Sequence, residues 1–320
     1  MDHSTRKTVW AWLQRAAIAA FLIYVSALAV DQFRQLDFAA VVAAVVNYSP
    51  AVVALAVAAA VPAVVACASF DLIGRHLVGQ PLPVGRTMLI SFTGYYFSLN
   101  LGALIGGLAF RYRLYGSHGL GLAPTGKIVG LTILTNWLGY VLLAGLVLTF
   151  RPPTLPTDWG PGSAVLRALG IGCLLALVAY FWLCGLRGGS DWRFRKLVLP
   201  LPTLRVAVVQ LLLSLLSWGG ITAMLVILLP GSPGPFTVLP VLMISSIAGI
   251  WSHVPGGVGI IELVFLKLLS DQLPASELVA AVLAFRVIYY LIPFAMAVVS
   301  YLYLEKTSSG WRSGHAGGDG

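Results

Sequence analysis

Long apolar runs alternate along this chain with short loops that hold most of its charge. Runs at 9–30, 39–66, 128–150, 164–186, 206–229 and 278–304 each supply the roughly 20 apolar residues a helix needs to cross a bilayer. They predict six full spans. Two further stretches are apolar but interrupted. Residues 87–110 carry no charge, yet hold Ser91, Thr93, Tyr95, Tyr96, Ser98 and Asn100, then Gly102, Gly106 and Gly107, with Arg111 and Arg113 just beyond. Residues 236–269 hold His253, Pro255, Gly256, Gly257, Gly259 and Glu262. Proline removes a backbone donor and disfavours helix at the preceding residue, while glycine admits positive φ. A helix in the second stretch must therefore stop near His253 and restart near Val258. Within lipid, broken backbone survives only where protein or a watery cavity satisfies it.

Composition sharpens this picture. Of the 320 residues 59% are hydrophobic and 10% charged, against roughly 25% charged in soluble domains. The pattern is that of an all-α, polytopic integral membrane protein, one domain over 1–306, with a polar, Gly-rich tail at 307–320 expected to be disordered. The net charge of +9 reads as loop charge that orients spans, and implies no nucleic-acid partner. Cys67, Cys173 and Cys184 sit in apolar surroundings, and the five histidines are scattered. Neither pattern predicts a metal or a cofactor. The N-terminal run looks like a signal peptide, but Gln14 and Arg15 interrupt it, and it reads as an uncleaved first span. Pro50 and Pro62 are expected kinks in the second span. Asp71, Arg75, His76 and Arg86 are expected in the loop after it.

Loop charge fixes the expected topology. If each interrupted stretch enters and leaves on one side, Arg6, Lys7, Arg75, Arg86, Arg111, Arg113, Lys127, the basic cluster at 187–205 and Lys306 all lie on the cytoplasmic side. The opposite loops then hold Asp31, Asp37, Asp158, Asp271 and Glu277. This satisfies the positive-inside bias with both termini cytoplasmic. It also divides the chain into repeats at about 1–155 and 160–306, each of three spans plus a re-entrant element and so inverted relative to each other. Gly106–Gly107 and Gly256–Gly257 take equivalent places. Inverted repeats with broken helices meeting near the midplane are a transporter architecture.

Four charged or titratable residues are candidates for chemistry. Arg111 presents a guanidinium fork suited to a lipid phosphate, or marks the cytoplasmic interface. Glu262 and Arg286 lie inside apolar runs, where charge is costly and usually functional. They either serve a head group or coupling proton, or form a structural ion pair. His253 beside the break is a titratable group or a cap. No nucleophile–base arrangement stands out, so no enzyme activity is expected.

The chain resembles the flippase-like transmembrane region of lysylphosphatidylglycerol synthases, including members without the synthase domain. Pro255-Gly256-Gly257-Val258-Gly259 with Glu262 is similar to the family's Pro-Gly-Gly-x-Gly-x-x-Glu signature. Asn100 through Gly106 and Gly107 to Arg111 is similar to its earlier motif. Ile105 stands where that motif usually has proline, and Ile261 where many members have arginine. The resemblance implies an inner-membrane protein that moves or binds a phospholipid or polyprenyl-phosphate lipid. A second reading is a non-transporting subunit that presents lipid to a separate lipid-modifying enzyme. An intramembrane enzyme is a third.

Overall fold

The computed structural model describes residues 38–80, 82–153, 162–194, 197–252 and 254–315. The expected first span at 9–30 lies outside them. Helices α1 (Phe38–Val46), α2 (Pro50–Val78), α3 (Val84–Leu101), α4 (Phe110–Ser117), α5 (Leu122–Phe150), α6 (Ser163–Arg187) and α7 (Leu204–Leu228) come first. They are followed by α8 (Pro235–Ser252), α9 (Ile260–Leu269), α10 (Ala275–Phe285) and α11 (Ile292–His315). Two strands, β1 (Asp191–Phe194) and β2 (Leu197–Pro200), pair antiparallel between α6 and α7. Six stretches among the described residues are long and apolar enough to cross a membrane: α2, α5, α6, α7, α8 and the continuous run Ala275–Ser308. The protein is an all-α polytopic membrane protein. Of these stretches α8 is expected from the sequence as one arm of a broken element.

Three boundaries differ from expectation. The second span does not run unbroken through 39–66, because the chain turns at Tyr48 and Ser49. Pro50 is the first residue of α2, a position that needs no N–H donor, and Ser49 caps the helix through Oγ to the Val52 amide at 3.3 Å. The helix then continues through Pro62 until Gly79, in the left-handed region, closes it on the Arg75 and His76 carbonyls. Asp71, Arg75 and His76 are therefore helical rather than in a loop. Lastly, α11 runs past Thr307 to His315. No glycine or proline interrupts 294–309, and Arg113 pairs with Glu305 on its last turns.

Membrane helices have little hydrophobic drive to associate with one another, so small residues at their contacts matter. Gly220 of α7 lies against the Ala59 carbonyl and Ala63 of α2. A Cβ at Gly74 would come 2.7 Å from the Ile128 Cα of α5, and Gly139 of α5 sits on Ser214 of α7. These contacts run α2 antiparallel to both α5 and α7.

The chain reversals sort to two ends. At one end Leu82, Leu114, Tyr115, Leu120, Ile128 and Leu304 form a single cluster. There, at the basic end, α2, α4 and α11 finish and α3 and α5 begin, and His76 of α2 and Arg205 of α7 line one groove. At the other end Leu228, Leu229, Val238, Leu269 and Leu278 pack together. A cavity of about 640 Å³ opens there beside Tyr48, Ser49, Ser232 and Glu277. The Tyr48 hydroxyl donates to the Leu228 carbonyl at 2.7 Å. Burial, with Glu277 nearby, pushes that phenol up to about 12.

Candidate functional site

Each interrupted stretch is a hairpin. In the first, α3 ends at Gly102, whose φ of 92° few other residues tolerate. The chain then reverses into a π-helical segment, Ala103–Ala109, that continues as α4. A Cβ on Gly106 would overlap the Phe97 carbonyl, and one on Gly107 would reach 2.8 Å from Ser98 Oγ. The glycine pair lets the returning arm press on the backbone of α3, while the reversal itself belongs to Gly102. In the second stretch α8 ends at Ser252, and Pro255–Gly257 makes a single 3₁₀ turn. Gly256, Gly257 and Gly259 adopt φ of 65°, 58° and 81°, and α9 restarts at Ile260. Here the glycine pair is the turn. His253 lies outside the described residues.

One ion pair belongs to each return arm. On α9, Glu262 is the third helical residue, and its Oε2 accepts from the Gly259 amide at 3.0 Å, so it caps its own helix. Arg286 faces it from the end of α10. Its Nε bonds Glu262 Oε1 and its Nη2 bonds Oε2 at 3.0 Å. The same guanidinium donates from Nη1 to the Gly256 carbonyl at 2.7 Å and from Nη2 to the Gly257 carbonyl at 2.8 Å. Arg286 therefore ties the turn and the carboxylate together, with the Tyr290 ring 5.6 Å away. Both partners are buried. This fork geometry is one that lysine cannot reproduce.

Arg286 opens a second π-helical segment, Arg286–Leu291. The cause is Pro293, which has no N–H to offer the Tyr289 carbonyl four residues back. The helix widens instead, and the Ile292 amide reaches the Val287 carbonyl. Such bulges are common at functional sites. This one points the buried Tyr289 and Tyr290 toward α3. The Tyr289 hydroxyl lies 3.2 Å from that of Tyr95, and the Tyr290 carbonyl accepts from Asn100 Nδ2 at 3.4 Å.

The other pair is Arg111 with Asp71. Asp71 is fully buried and accepts from Arg111 Nε at 3.3 Å, Tyr115 OH at 2.8 Å and Thr132 Oγ1 at 2.6 Å. Arg111 Nη2 also donates to the Ser91 carbonyl at 3.3 Å. Gly94 makes room for this side chain, since a Cβ there would stand 2.6 Å from Arg111 Cγ. Sequence reasoning missed Asp71. The available signal was a lone carboxylate after some thirty uncharged residues, 38–70.

The structure does not bring Arg111 and Glu262 into one cluster. They lie at two places along α3, joined by a buried polar seam. Ser91 takes the Arg111 bond on its carbonyl and gives its own hydroxyl to the Cys67 carbonyl at 2.9 Å. Cys67 Sγ contacts Ser217 Oγ at 3.2 Å and Tyr289 OH at 3.8 Å. Tyr95 and Asn100 continue the seam to the second break. Helix α3 packs directly on the Pro255–Gly257 turn, so the two interrupted elements meet there. Among the described residues no group of three or more His, Cys, Asp or Glu side chains is placed to hold a metal.

Residues 12–297 match the family model described as the lysylphosphatidylglycerol synthase TM region. The chain is similar to the inner membrane protein YbhN of Escherichia coli, 35% identical over 95% of this chain and 96% of that one. It is also similar to the uncharacterized protein slr0712 of Synechocystis, 30% identical over 72% of each.

Proposed function

Since the chain belongs to the lysylphosphatidylglycerol synthase transmembrane-region family, we propose that it moves a phospholipid or polyprenyl-phosphate lipid across the inner membrane. The observation that carries the reading is the packing of the first hairpin's helix α3 on the broken turn of the second, Pro255–Gly257. Interrupted helices in lipid leave carbonyl and amide groups for a polar ligand. In this reading the head group passes Asn100, the Gly256 and Gly257 carbonyls and Tyr290, while the acyl chains stay in the bilayer. Glu262 and Arg286 hold the turn in shape, and Arg111 with Asp71 anchors the first hairpin. The two halves act as inverted repeats, with the basic end in the cytoplasm.

One observation favours a second reading, a subunit that presents lipid to a separate enzyme. Both buried arginines already have carboxylate and carbonyl partners inside the protein. The test is reconstitution of the pure protein into liposomes with labelled phosphatidylglycerol or polyprenyl phosphate, read by leaflet-resolved quenching. Movement of either lipid above protein-free vesicles supports transport. Binding of lipid without movement replaces transport with the presenting role.

A further inference from the structure

A groove of about 420 Å³ lies between α2 and α7 at the basic end, away from the meeting hairpins. Its floor is Leu72, Ile73, Val206, Val209 and Leu213, and His76 and Arg205 stand at its rim. Residues three or four apart share one face of a helix. On α2 the series Val61, Val65, Ser69, Leu72, His76 is such a face, and Val61 and Val65 are 52% and 48% exposed. On α7 the series Leu216, Leu212, Val209, Arg205 is another, with Leu216, Leu212 and Val209 at 47%, 59% and 48%. Because the helices are antiparallel, the two apolar stripes lie side by side and both end in a basic residue. None of the hydrogen bonds or ion pairs among the described residues uses the Arg205 guanidinium.

We propose that this groove holds one anionic phospholipid of the leaflet at the basic end, its acyl chain along the apolar floor and its phosphate on Arg205. The shape argument and the charge argument are independent. An apolar channel continuous with membrane-facing surface suits a hydrocarbon chain, and a free guanidinium at its mouth suits a phosphate. The groove shares no residue with the hairpin site, so the inference stands whether or not the protein moves lipid.

The test uses the full chain in nanodiscs of equal parts phosphatidylcholine and phosphatidylglycerol, followed by native mass spectrometry of retained lipid. Wild-type protein retains phosphatidylglycerol over phosphatidylcholine. Arg205→Gln lowers that preference about fivefold, the effect of one basic group at a membrane surface, and Arg205→Lys keeps most of it. Val209→Trp fills the floor and lowers retention of the same lipid. Arg187→Gln, which removes an exposed charge at the same end outside the groove, leaves retention unchanged. Wild-type retention in Arg205→Gln, or an equal loss in Arg187→Gln, overturns the assignment, as does unchanged retention in Val209→Trp.

Discussion

A carboxylate inside a membrane helix is tolerated only when partners replace its water, and the two here are supplied differently. Asp71 gathers three side-chain donors, from Arg111, Tyr115 and Thr132. Glu262 accepts from the Gly259 amide and from a guanidinium that it shares with two backbone carbonyls. Removing one partner of such a pair leaves a buried, uncompensated charge, which costs about 3–5 kcal/mol. Asp71→Ala should therefore lower the thermal unfolding temperature in detergent sharply, and adding Arg111→Met should recover much of it. An unchanged transition for Asp71→Ala would remove the pair from the account of stability. Arg286→Lys keeps the charge but cannot reach Glu262 and both glycine carbonyls together. It should be less stable than wild type and more stable than Arg286→Ala, measured the same way. Glu262 and Arg286 could be singled out from sequence because each stands alone in an apolar run. Asp71 was missed although it follows a long uncharged run, because Arg75, His76 and Arg86 nearby make its segment look like a loop. Only its folded partners show that the helix carries it inward.

At the scale of elements, the two glycine pairs do different work, and substitution separates them. At Gly106 there is no room, because a Cβ meets the Phe97 backbone. Gly106→Ala should force the arms of the first hairpin apart and prevent folded protein from accumulating. At Gly256 the nearest atoms are 3.7 Å or more from a Cβ. Gly256→Ala should cost only the left-handed backbone penalty of about 1–3 kcal/mol. Fluorescence-detected size-exclusion chromatography of the two variants distinguishes them, and equal behaviour would contradict this division of roles. The break in 236–269 was readable because proline and three glycines interrupt an apolar helix within five residues, 255–259. The exact place of the first reversal was not, since Gly102, Gly106 and Gly107 all permit one and only packing decides. The π-helical turn at Arg286 follows from Pro293, a signal present in the sequence and passed over inside a long apolar run.

Across the whole molecule, the contacts place both ends of the first hairpin at the basic end and both ends of the second at the opposite end. Loop charge then predicts that the basic end faces the cytoplasm. With Cys173 replaced by Ser, a cysteine at Arg205 should resist an impermeant thiol reagent in intact cells. One at Ser232 should react. The reverse pattern would invert the protein in its membrane. The spans near 128–150, 164–186, 206–229 and 278–304 were legible because a bilayer imposes a length on every apolar run, whereas the second was misplaced because Ser49 and Pro50 start its helix later. The meeting of the hairpins was legible only as an expectation, since it depends on contacts between residues some 150 apart. That meeting is the centre of the functional account, and Asn100 touches both sides of it, through the Tyr96 carbonyl of its own helix and the Tyr290 carbonyl of the other half. The most direct test is leaflet-resolved lipid movement in liposomes, comparing wild type with Asn100→Ala at matched unfolding temperature. One hydrogen bond of about 1 kcal/mol corresponds to about fivefold in rate. The account predicts movement by wild type above empty vesicles, slowed about that much by Asn100→Ala. Equal rates in wild type and Asn100→Ala, or none above empty vesicles in either, would contradict it.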